Sequence, residues 1–124
     1  MKNILAIIPA RGGSKGIKNK NIKKIFKKPL IYWTIKEAKK SKYISEIIVS
    51  TDSKKIRKLS LNYKINVPFL RPKKISGDSS SDYLLIKHAL DFFSKKKVFF
   101  ENVLLLQPTS PLRSYKDIDN CIKF

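Results

Sequence analysis

One stretch near the start of the chain decides the fold: Ile4-Leu5-Ala6-Ile7-Ile8-Pro9-Ala10-Arg11-Gly12-Gly13-Ser14-Lys15-Gly16. Its five leading apolar residues are typical of a strand that is buried on both faces of a parallel sheet. Pro9 ends this run, and the closely spaced glycines that follow predict a loop. In open α/β sheets, ligands bind beyond the carboxyl ends of the strands. The stretch therefore predicts a buried first strand whose following loop reaches a ligand.

Strands and helices alternate along the rest of the chain. Apolar runs predict strands at Glu46 to Thr51, Val67 to Leu70 and Val103 to Leu106. Amphipathic patterns predict four helices: one from Pro29, one from Asp52 or Ser53 to about Asn62, one from about Asp82 to Ser94, and one from Ser114. This alternation predicts an α/β fold with a doubly wound, mostly parallel sheet. No internal repeat or linker divides the sequence, so residues 1–124 are interpreted as one domain. The last predicted helix reaches Phe124 without a stop signal, and we therefore expect a C-terminal truncation.

The composition indicates a compact globular protein. Hydrophobic residues make up 42% of the 124 residues, which is enough for a buried core. No apolar run approaches the roughly 20 residues that a membrane-spanning helix needs, and the run that begins at Ile4 is too short for a secretory signal. Cys121 is the single cysteine, which excludes an internal disulfide and a cysteine-based metal site. We expect a cytoplasmic protein with no membrane partner.

The charge is strongly positive, with a formal net charge of +19. The cationic residues are 24 lysines and 4 arginines, and the lysines are spread over the whole length. Arginine is the residue suited to bidentate recognition of bases and phosphates, whereas lysine is a hydrated point charge. We interpret the charge as a solvated lysine-rich surface rather than a specific nucleic-acid interface. Its potential would still steer an anionic substrate.

The loop after the first strand has the composition of a phosphate-binding loop. It holds three of the four glycines of the chain, Gly12, Gly13 and Gly16, and glycine lets backbone N–H groups approach an anion closely. Arg11 and Lys15 add positive charge. The spacing matches neither the P-loop nor the dinucleotide-binding glycine pattern. Taken alone, this loop has an alternative interpretation as an ordinary glycine turn with surface charges.

The arginines add a second indication of phosphate chemistry. Arg11, Arg71 and Arg113, three of the four, each follow a predicted strand. Lysine supplies nearly all the positive charge of this chain, so arginines at the carboxyl ends of predicted strands, where ligands bind in such folds, stand out. The planar guanidinium group, which grips phosphate through two parallel hydrogen bonds, suits those positions.

Four blocks of sequence carry a family resemblance and cover nearly the whole chain. They are Ala6 to Asn21 (AIIPARGGSKGIKNKN), Val49 to Asp52 (VSTD), Leu70 to Pro72 (LRP) with Asp78 to Ser81 (DSSS), and Leu105 to Arg113 (LLQPTSPLR). In this order they resemble the blocks of the acylneuraminate cytidylyltransferases, the CMP-sialic acid synthetases. The resemblance implies a Rossmann-like, nucleotide-diphospho-sugar-transferase-like fold. It also implies transfer of CMP from CTP to a sialic-acid-type nonulosonic acid, with release of pyrophosphate.

The resemblance also implies roles for individual residues. Arg11 and Lys15 would act in catalysis by holding the CTP phosphates. The full set of residues expected to bind CTP is Arg11, Gly13, Ser14, Lys15, Asn21, Arg71, Ser80 and Gln107. Mg²⁺ is the expected cofactor, and the family's acidic metal ligands and dimerisation element would lie beyond Phe124. We therefore assign no metal ligand and expect a homodimer of the full-length form.

Three further residues have open or structural interpretations. Asp82 departs from the hydroxyl residue that many relatives have, and its role is left open. Asp52 is interpreted as a helix cap rather than a metal ligand. His88 is placed at the lysine-bearing edge of an amphipathic helix and is interpreted as non-catalytic.

The alternatives to this function are also open. A cytidylyltransferase for legionaminate, pseudaminate or 3-deoxy-manno-octulosonate would share the same blocks. An inactive nucleotide-binding fragment fits the expected truncation, and a basic nucleic-acid-binding module fits the lysine content.

Overall fold

The computed structural model describes residues 3–10, 24–25, 28–72, 82–107 and 116–119. In chain order its elements are β1 (Ile4–Pro9), β2 (Lys24–Ile25), β3 (Lys28–Pro29), α1 (Leu30–Lys40), β4 (Glu46–Ser50), α2 (Lys54–Asn62), α3 (Asp82–Lys95) and β5 (Asn102–Leu105). Residues 116–119 are also helical. The predicted alternation of strands and helices is confirmed.

β1 is the central strand of a three-stranded parallel sheet with the order β4-β1-β5. Its register pairs Ile7 with Ile48 on one side and with Leu105 on the other. All six residues of β1 are buried. The continuous apolar run from Ile4 thus forms a strand that is covered on both faces, as its composition predicts.

The two faces of the sheet carry separate core clusters. The first core cluster lies on the side of α1 and α2, and its buried members include Ala6, Ile8, Ile31, Ile35, Ala38, Val49, Ile56 and Ile118. The second core cluster lies on the side of α3, and its buried members are Leu5, Ile7, Ile48, Leu85, Ala89 and Phe93. Alternate β1 residues therefore enter opposite clusters, since successive side chains of a strand point to opposite faces. The result is a three-layer, doubly wound arrangement.

Residues 66–71 extend the sheet beyond β4 without forming a regular strand. Parallel bridges join Ile48 to Asn66 and Thr51 to Leu70. Between the two bridges the chain advances three residues on the β4 side, from Ile48 to Thr51. On the other side it advances four residues, from Asn66 to Leu70. One extra residue therefore lies between the bridges, which is the definition of a β-bulge. We call residues 66–71 the bulged segment.

The bulge corrects the prediction of a strand from Val67 to Leu70. Pro68 lies inside this stretch and has no N–H to contribute to a ladder, so proline favours bulges and edges. The extra residue also breaks the alternation of side chains. Val67 is buried in the first core cluster, whereas Phe69, two residues later, packs against the second.

The start of α1 is a second correction. The helix was expected to open at Pro29, but Pro29 pairs with Lys24 in a small antiparallel hairpin of β2 and β3, and α1 begins at Leu30. The fixed φ of proline is compatible with either position. The sequence around β2 and β3 has no alternation of apolar and polar residues, so the sequence pattern does not predict this hairpin.

Candidate active site

The carboxyl ends of the parallel strands lie along one edge of the sheet. Backbone N–H groups fix this edge: Ala10 donates to the carbonyl of Ser50 (3.0 Å), Arg71 to the carbonyl of Thr51 (2.7 Å) and Leu106 to the carbonyl of Ile7 (2.9 Å). We call the edge that these residues define the carboxyl edge. It brings together residues from all four sequence blocks that were singled out above.

The strand order reverses at this edge. Across the sheet the order is the bulged segment, β4, β1 and β5. Numbered by their order in the chain, these four parallel segments are the third, second, first and fourth. The reversal falls between β1 and β5, which is where doubly wound folds leave a crevice for ligands. Ala10 is the last described residue before Arg11. The glycine-rich stretch therefore follows the strand that borders the crevice.

Arg71 is buried at the carboxyl edge, with only 5% of its surface exposed. The backbone hydrogen bond to Thr51 holds its position next to the end of β4. Burial of a guanidinium group is costly unless hydrogen bonds or charges compensate it. Arg71 therefore lies at the carboxyl edge, and its role in binding CTP stays a prediction.

Gln107 is half-buried and follows β5 at the same edge. Leu106, directly before it, is buried in the first core cluster and bonded to β1. Arg71 ends the bulged segment and Gln107 follows β5. These two segments are three strand spacings of about 4.8 Å apart, or roughly 14 Å in all. The two residues therefore lie on opposite sides of the end of β1.

The other predicted site residues lie outside the described residues. They are Arg11, Gly13, Ser14, Lys15, Asn21 and Ser80. Their roles stay predictions, and of the expected CTP-binding set the structure describes Arg71 and Gln107.

Ser53, rather than Asp52, caps α2. The Ser53 hydroxyl accepts a hydrogen bond from the backbone N–H of Ile56 (3.2 Å), and Thr51 Oγ1 accepts from the N–H of Ser53 (3.1 Å). The interpretation of Asp52 as the cap is therefore wrong. Asp82 is the first residue of α3 and is exposed there. A carboxylate in the first turn stabilises a helix through its dipole, which gives Asp82 a structural role.

Two buried polar atoms on the α3 side have no hydrogen-bond partner within the described residues. One is Oγ of Ser50, the last residue of β4, whose side chain is fully buried. The other is Nδ1 of His88 on α3. Ser50 follows Val49 of the first core cluster, so alternation turns its side chain toward the α3 side.

His88 was expected at the lysine-bearing edge of α3, and the structure corrects this. The His88 ring meets the Phe69 ring edge-on, with centroids 4.5 Å apart and an angle of 82° between the planes. Burial lowers the pKa of the imidazole below its usual 6.5, the Arg71 guanidinium lowers that pKa further, and Asp91 opposes the change. The spacing could have indicated this contact, because Leu85, His88 and Phe92 fall on one helical face.

The described residues contain neither a cluster of metal-ligating side chains nor a membrane-spanning helix. No group of three His, Cys, Asp or Glu side chains lies close enough there to hold a metal ion. The helices of the same residues include none that is long and apolar enough to cross a membrane.

Curated relatives match nearly all of this chain. It is 43% identical over 120 residues to a CMP-N,N'-diacetyllegionaminic acid synthase from Legionella pneumophila, covering 97% of this chain and 52% of the relative. An N-acylneuraminate cytidylyltransferase from Escherichia coli is 40% identical over 120 residues, with 97% and 27% covered. A pseudaminic acid cytidylyltransferase from Campylobacter jejuni is 39% identical over 118 residues, with 95% and 50% covered. The chain thus spans about half the length of the relatives from Legionella and Campylobacter, and about a quarter of the one from Escherichia coli.

Solved structures share the fold. The structure of a CMP:2-keto-3-deoxy-manno-octonic acid synthetase complexed with CTP has a TM-score of 0.82 at 20% identity, covering 98% of this chain and 46% of that one. A cytidylyltransferase from Leptospira borgpetersenii has a TM-score of 0.69 at 19% identity, covering 99% and 48%. At these identities the likeness concerns the fold, and the expected Rossmann-like, nucleotidyltransferase-like fold is confirmed.

The sequence blocks, the parallel sheet with its reversal beside β1 and the relatives all point the same way. A sequence model of one family, described as cytidylyltransferase, matches residues 5–123. This chain belongs to the cytidylyltransferase family.

Proposed function

We propose that this chain is the nucleotide-binding part of an enzyme that transfers CMP from CTP to a sialic-acid-type nonulosonic acid. One observation carries the proposal. The strand that borders the crevice, β1, leads directly into the stretch Arg11 to Gly16, whose glycines and cations suit a polyphosphate. Arg71 and Gln107 flank the end of this strand at the carboxyl edge.

In the proposed reaction, the anomeric hydroxyl of the sugar attacks the α-phosphorus of CTP in line. A new bond joins this oxygen to phosphorus as the hydroxyl proton is lost to solvent, the bond to the bridging oxygen breaks, and pyrophosphate leaves with the electron pair. Charge accumulates on the bridging and leaving oxygens during this step. Positioned cations therefore contribute more than a covalent intermediate would.

Arg11 and Lys15 are the proposed catalytic residues. Their charges would stabilise the phosphate oxygens from a loop whose geometry exists before the reaction. Gly13 and Ser14 would contribute backbone N–H groups, and Asn21, Ser80, Arg71 and Gln107 would contact the rest of the nucleotide. Arg71 suits this role because the fold holds it buried at the carboxyl edge.

The acceptor is proposed as a nonulosonic acid without a choice among its members. Relatives named for legionaminic, N-acylneuraminic and pseudaminic acids are 43%, 40% and 39% identical to this chain. Differences this small do not separate the acceptors. The product would be a CMP-sugar for nucleotide-sugar biosynthesis and cell-surface polysaccharide.

Mg²⁺, cytoplasmic location and homodimer formation are proposed with the activity. A triphosphate substrate favours Mg²⁺, which binds oxygen ligands and neutralises phosphate charge. Because no three-residue metal cluster lies among the described residues, no side chain described here is assigned to the ion. We also propose that the +19 charge steers anionic substrates to the site and recognises no specific nucleic acid.

Calorimetric titration tests the proposal. We expect CTP to bind in preference to ATP, GTP and UTP, and to bind more tightly with Mg²⁺ present. Arg11→Ala and Lys15→Ala should each weaken CTP binding. Arg57→Ala is the matched control, because Arg57 is the arginine that does not follow a strand and is exposed on α2. Equal affinity for all four nucleotides would contradict the proposed reading of the base.

A further inference from the structure

The amino ends of the parallel strands form the edge of the sheet opposite the carboxyl edge. Backbone N–H groups fix it: Ser45 donates to the carbonyl of Ile4 (3.0 Å), and Glu101 donates to the carbonyl of Asn3 (3.0 Å). A helix that joins two parallel strands runs back to the amino end of the second strand, so α1, α2 and α3 all end at this edge. We call the surface formed by residues 39–46, 62–66 and 95–102 the amino edge.

The amino edge is rich in exposed lysines. They lie at the ends of the three helices and in the turns that follow: Lys39, Lys40, Lys42, Lys64, Lys95, Lys96 and Lys97. The acidic residues of the same ranges are Glu46 and Glu101, and Glu37, one turn earlier, pairs with Lys40 (3.1 Å). The helix dipole favours cations at helix C-termini. It does not account for the backbone conformation of two of these lysines.

These two lysines occupy positions that favour glycine. Lys64 and Lys97 have φ of 60° and 61°, and they are the non-glycine residues with positive φ in the described part of the chain. At the end of α3, the N–H of Val98 donates to the carbonyl of Phe93 and the N–H of Lys97 to that of Ser94, both at 2.9 Å. This is the Schellman ending of a helix, whose left-handed residue is usually glycine. Lysine has a steric cost there that glycine lacks, so charge is present at this edge against the local backbone preference.

The turn after α3 also exposes two apolar side chains beside its lysines. It is exposed over six consecutive residues, among which Val98 and Phe99 are 41% and 67% exposed. Nδ2 of Asn3 donates to the carbonyl of Phe99 (2.6 Å). Phe100, the next residue, packs inward against Phe93 with 5.2 Å between the ring centroids. Phe99 therefore points away from the core on a backbone that hydrogen bonds hold in place.

We propose that the amino edge docks on a membrane surface that carries anionic lipid, with Phe99 inserted among the headgroups and the surrounding lysines facing lipid phosphate. Lysines attract an anionic bilayer, and an exposed aromatic side chain adds the apolar contact of a peripheral protein. This contact needs no spanning helix. It departs from the expectation of no membrane partner, which considered only long apolar runs.

The observations favour this occupant over a protein or a nucleic acid. Lysine is depleted in protein–protein interfaces, yet here three lysines lie directly beside the exposed Phe99. A single-stranded nucleic acid fits a basic groove with stacked aromatic rings, whereas this turn is exposed on six consecutive residues. The amino edge lies across the sheet from the proposed CTP site, separated by the six residues of β1 or roughly 20 Å. The inference therefore does not rest on the proposed function.

Vesicle sedimentation tests the apolar contact. At physiological salt, the untagged chain should bind vesicles of phosphatidylcholine mixed with phosphatidylglycerol and should not bind vesicles of phosphatidylcholine alone. Phe99→Ser should lower the partition coefficient about tenfold, because the inserted apolar area is lost. Tyr83→Ser is the matched control, because Tyr83 is also 67% exposed but lies at the opposite end of α3. It should leave binding unchanged.

Two triple variants test the charge. The first removes the lysines of the turn: Lys95→Gln, Lys96→Gln and Lys97→Gln. Each cation near an anionic bilayer contributes to binding, so this variant should lower the partition coefficient about a hundredfold. The control removes the same charge from exposed positions of α2 and should lose far less: Lys54→Gln, Lys55→Gln and Lys58→Gln. Thermal melts identify the variants that fold.

Three outcomes would overturn the docking proposal: equal binding to both kinds of vesicle or to neither, equal losses from the two triple variants, or wild-type binding by folded Phe99→Ser. A single-stranded oligothymidylate that binds through Phe99, without vesicle binding, would assign the surface to nucleic acid instead. Calorimetry with CTP reports the proposed function separately. A chain that binds these vesicles but not CTP would contradict that function and leave the docking surface standing.

Discussion

At the scale of single residues, buried hydroxyl groups without partners mark places where the fold is weaker than it could be. Ser60 on α2 is fully buried, and its Oγ has no hydrogen-bond partner within the described residues. Taking a hydroxyl out of water without a replacement bond costs free energy. Unlike Ser50, which is the last residue of β4, Ser60 lies within α2, so this cost has no connection with the site.

Ser60→Ala should therefore raise the free energy of unfolding, by about 1 kcal/mol. The substitution removes the unpaired hydroxyl and introduces a better helix former. Chemical denaturation measures the change. Ser94→Ala, an exposed serine near the end of α3, is the matched control, because it gains helix propensity without a burial effect. An equal gain for both variants would show that the buried hydroxyl costs nothing.

His88 gives the stability of the fold a pH dependence with a defined sign. Its pKa is lowered in the folded state, chiefly by burial, so the unfolded chain binds the proton more tightly. Stability should be fully present above pH 6.5, the usual histidine value, and should fall as the pH drops below it. Carboxyl groups titrate mainly near pH 4, so the upper part of this window belongs to His88.

Thermal melts between pH 7.5 and pH 5, at steps of about half a unit, measure this dependence. The chain should lose stability toward the acid end, and the His88→Gln variant should give a flatter profile. An unchanged slope in the variant would assign the acid sensitivity to another group.

At the scale of elements, the N-terminus of α2 depends on one side chain. Ser53 has the extended backbone of an N-cap and accepts the N–H of Ile56. Ser53→Ala should lower the free energy of unfolding by about 1 kcal/mol, because that N–H loses its partner. Denaturant melts test this, and Ser53→Asp should retain most of the stability. Equal stability of Ser53→Ala and wild type would mean that Asp52 or water replaces the cap.

The predictability of each element follows from the physics that fixes it. β1 was predicted to within one residue at its end, since a five-residue apolar run has few other solutions. α3 was predicted from Asp82 to Ser94 and found to Lys95, because its apolar residues recur with helical spacing. The hairpin of β2 and β3 was missed, since two-residue strands leave no period in the sequence.

The site was predictable where it depends on strand ends and not where it depends on a register shift. Arg71 and Gln107 follow apolar runs, which put both at the carboxyl edge. The extra residue in the bulged segment has no local signature beyond Pro68, yet it brings Phe69 to the α3 side. The helical spacing of Leu85, His88 and Phe92 indicates the face of α3 on which His88 lies, but the contact with Phe69 depends on that shift and has no signal in the sequence.

At the scale of the whole molecule, the positive charge sets stability and substrate binding against each other. A net charge of +19 repels itself in a compact fold. The ion pairs Lys40–Glu37 and Lys87–Asp91 are solvent-accessible, and pairs of that kind contribute little. The same excess charge attracts CTP. Salt should therefore have opposite effects on the two properties.

We expect the melting temperature to rise and CTP affinity to fall as sodium chloride increases from about 0.01 M to about 0.15 M. Over this range the Debye length shrinks from about 30 Å to about 8 Å, which screens repulsion among the lysines and attraction to the triphosphate alike. Melts of the free protein and calorimetry with CTP measure the two effects. Cytidine, an uncharged ligand, is the matched control, and its affinity should not follow salt. A melting temperature that falls with salt would mean that attractive pairs outweigh the repulsion, and a CTP affinity indifferent to salt would remove the steering role of the lysines.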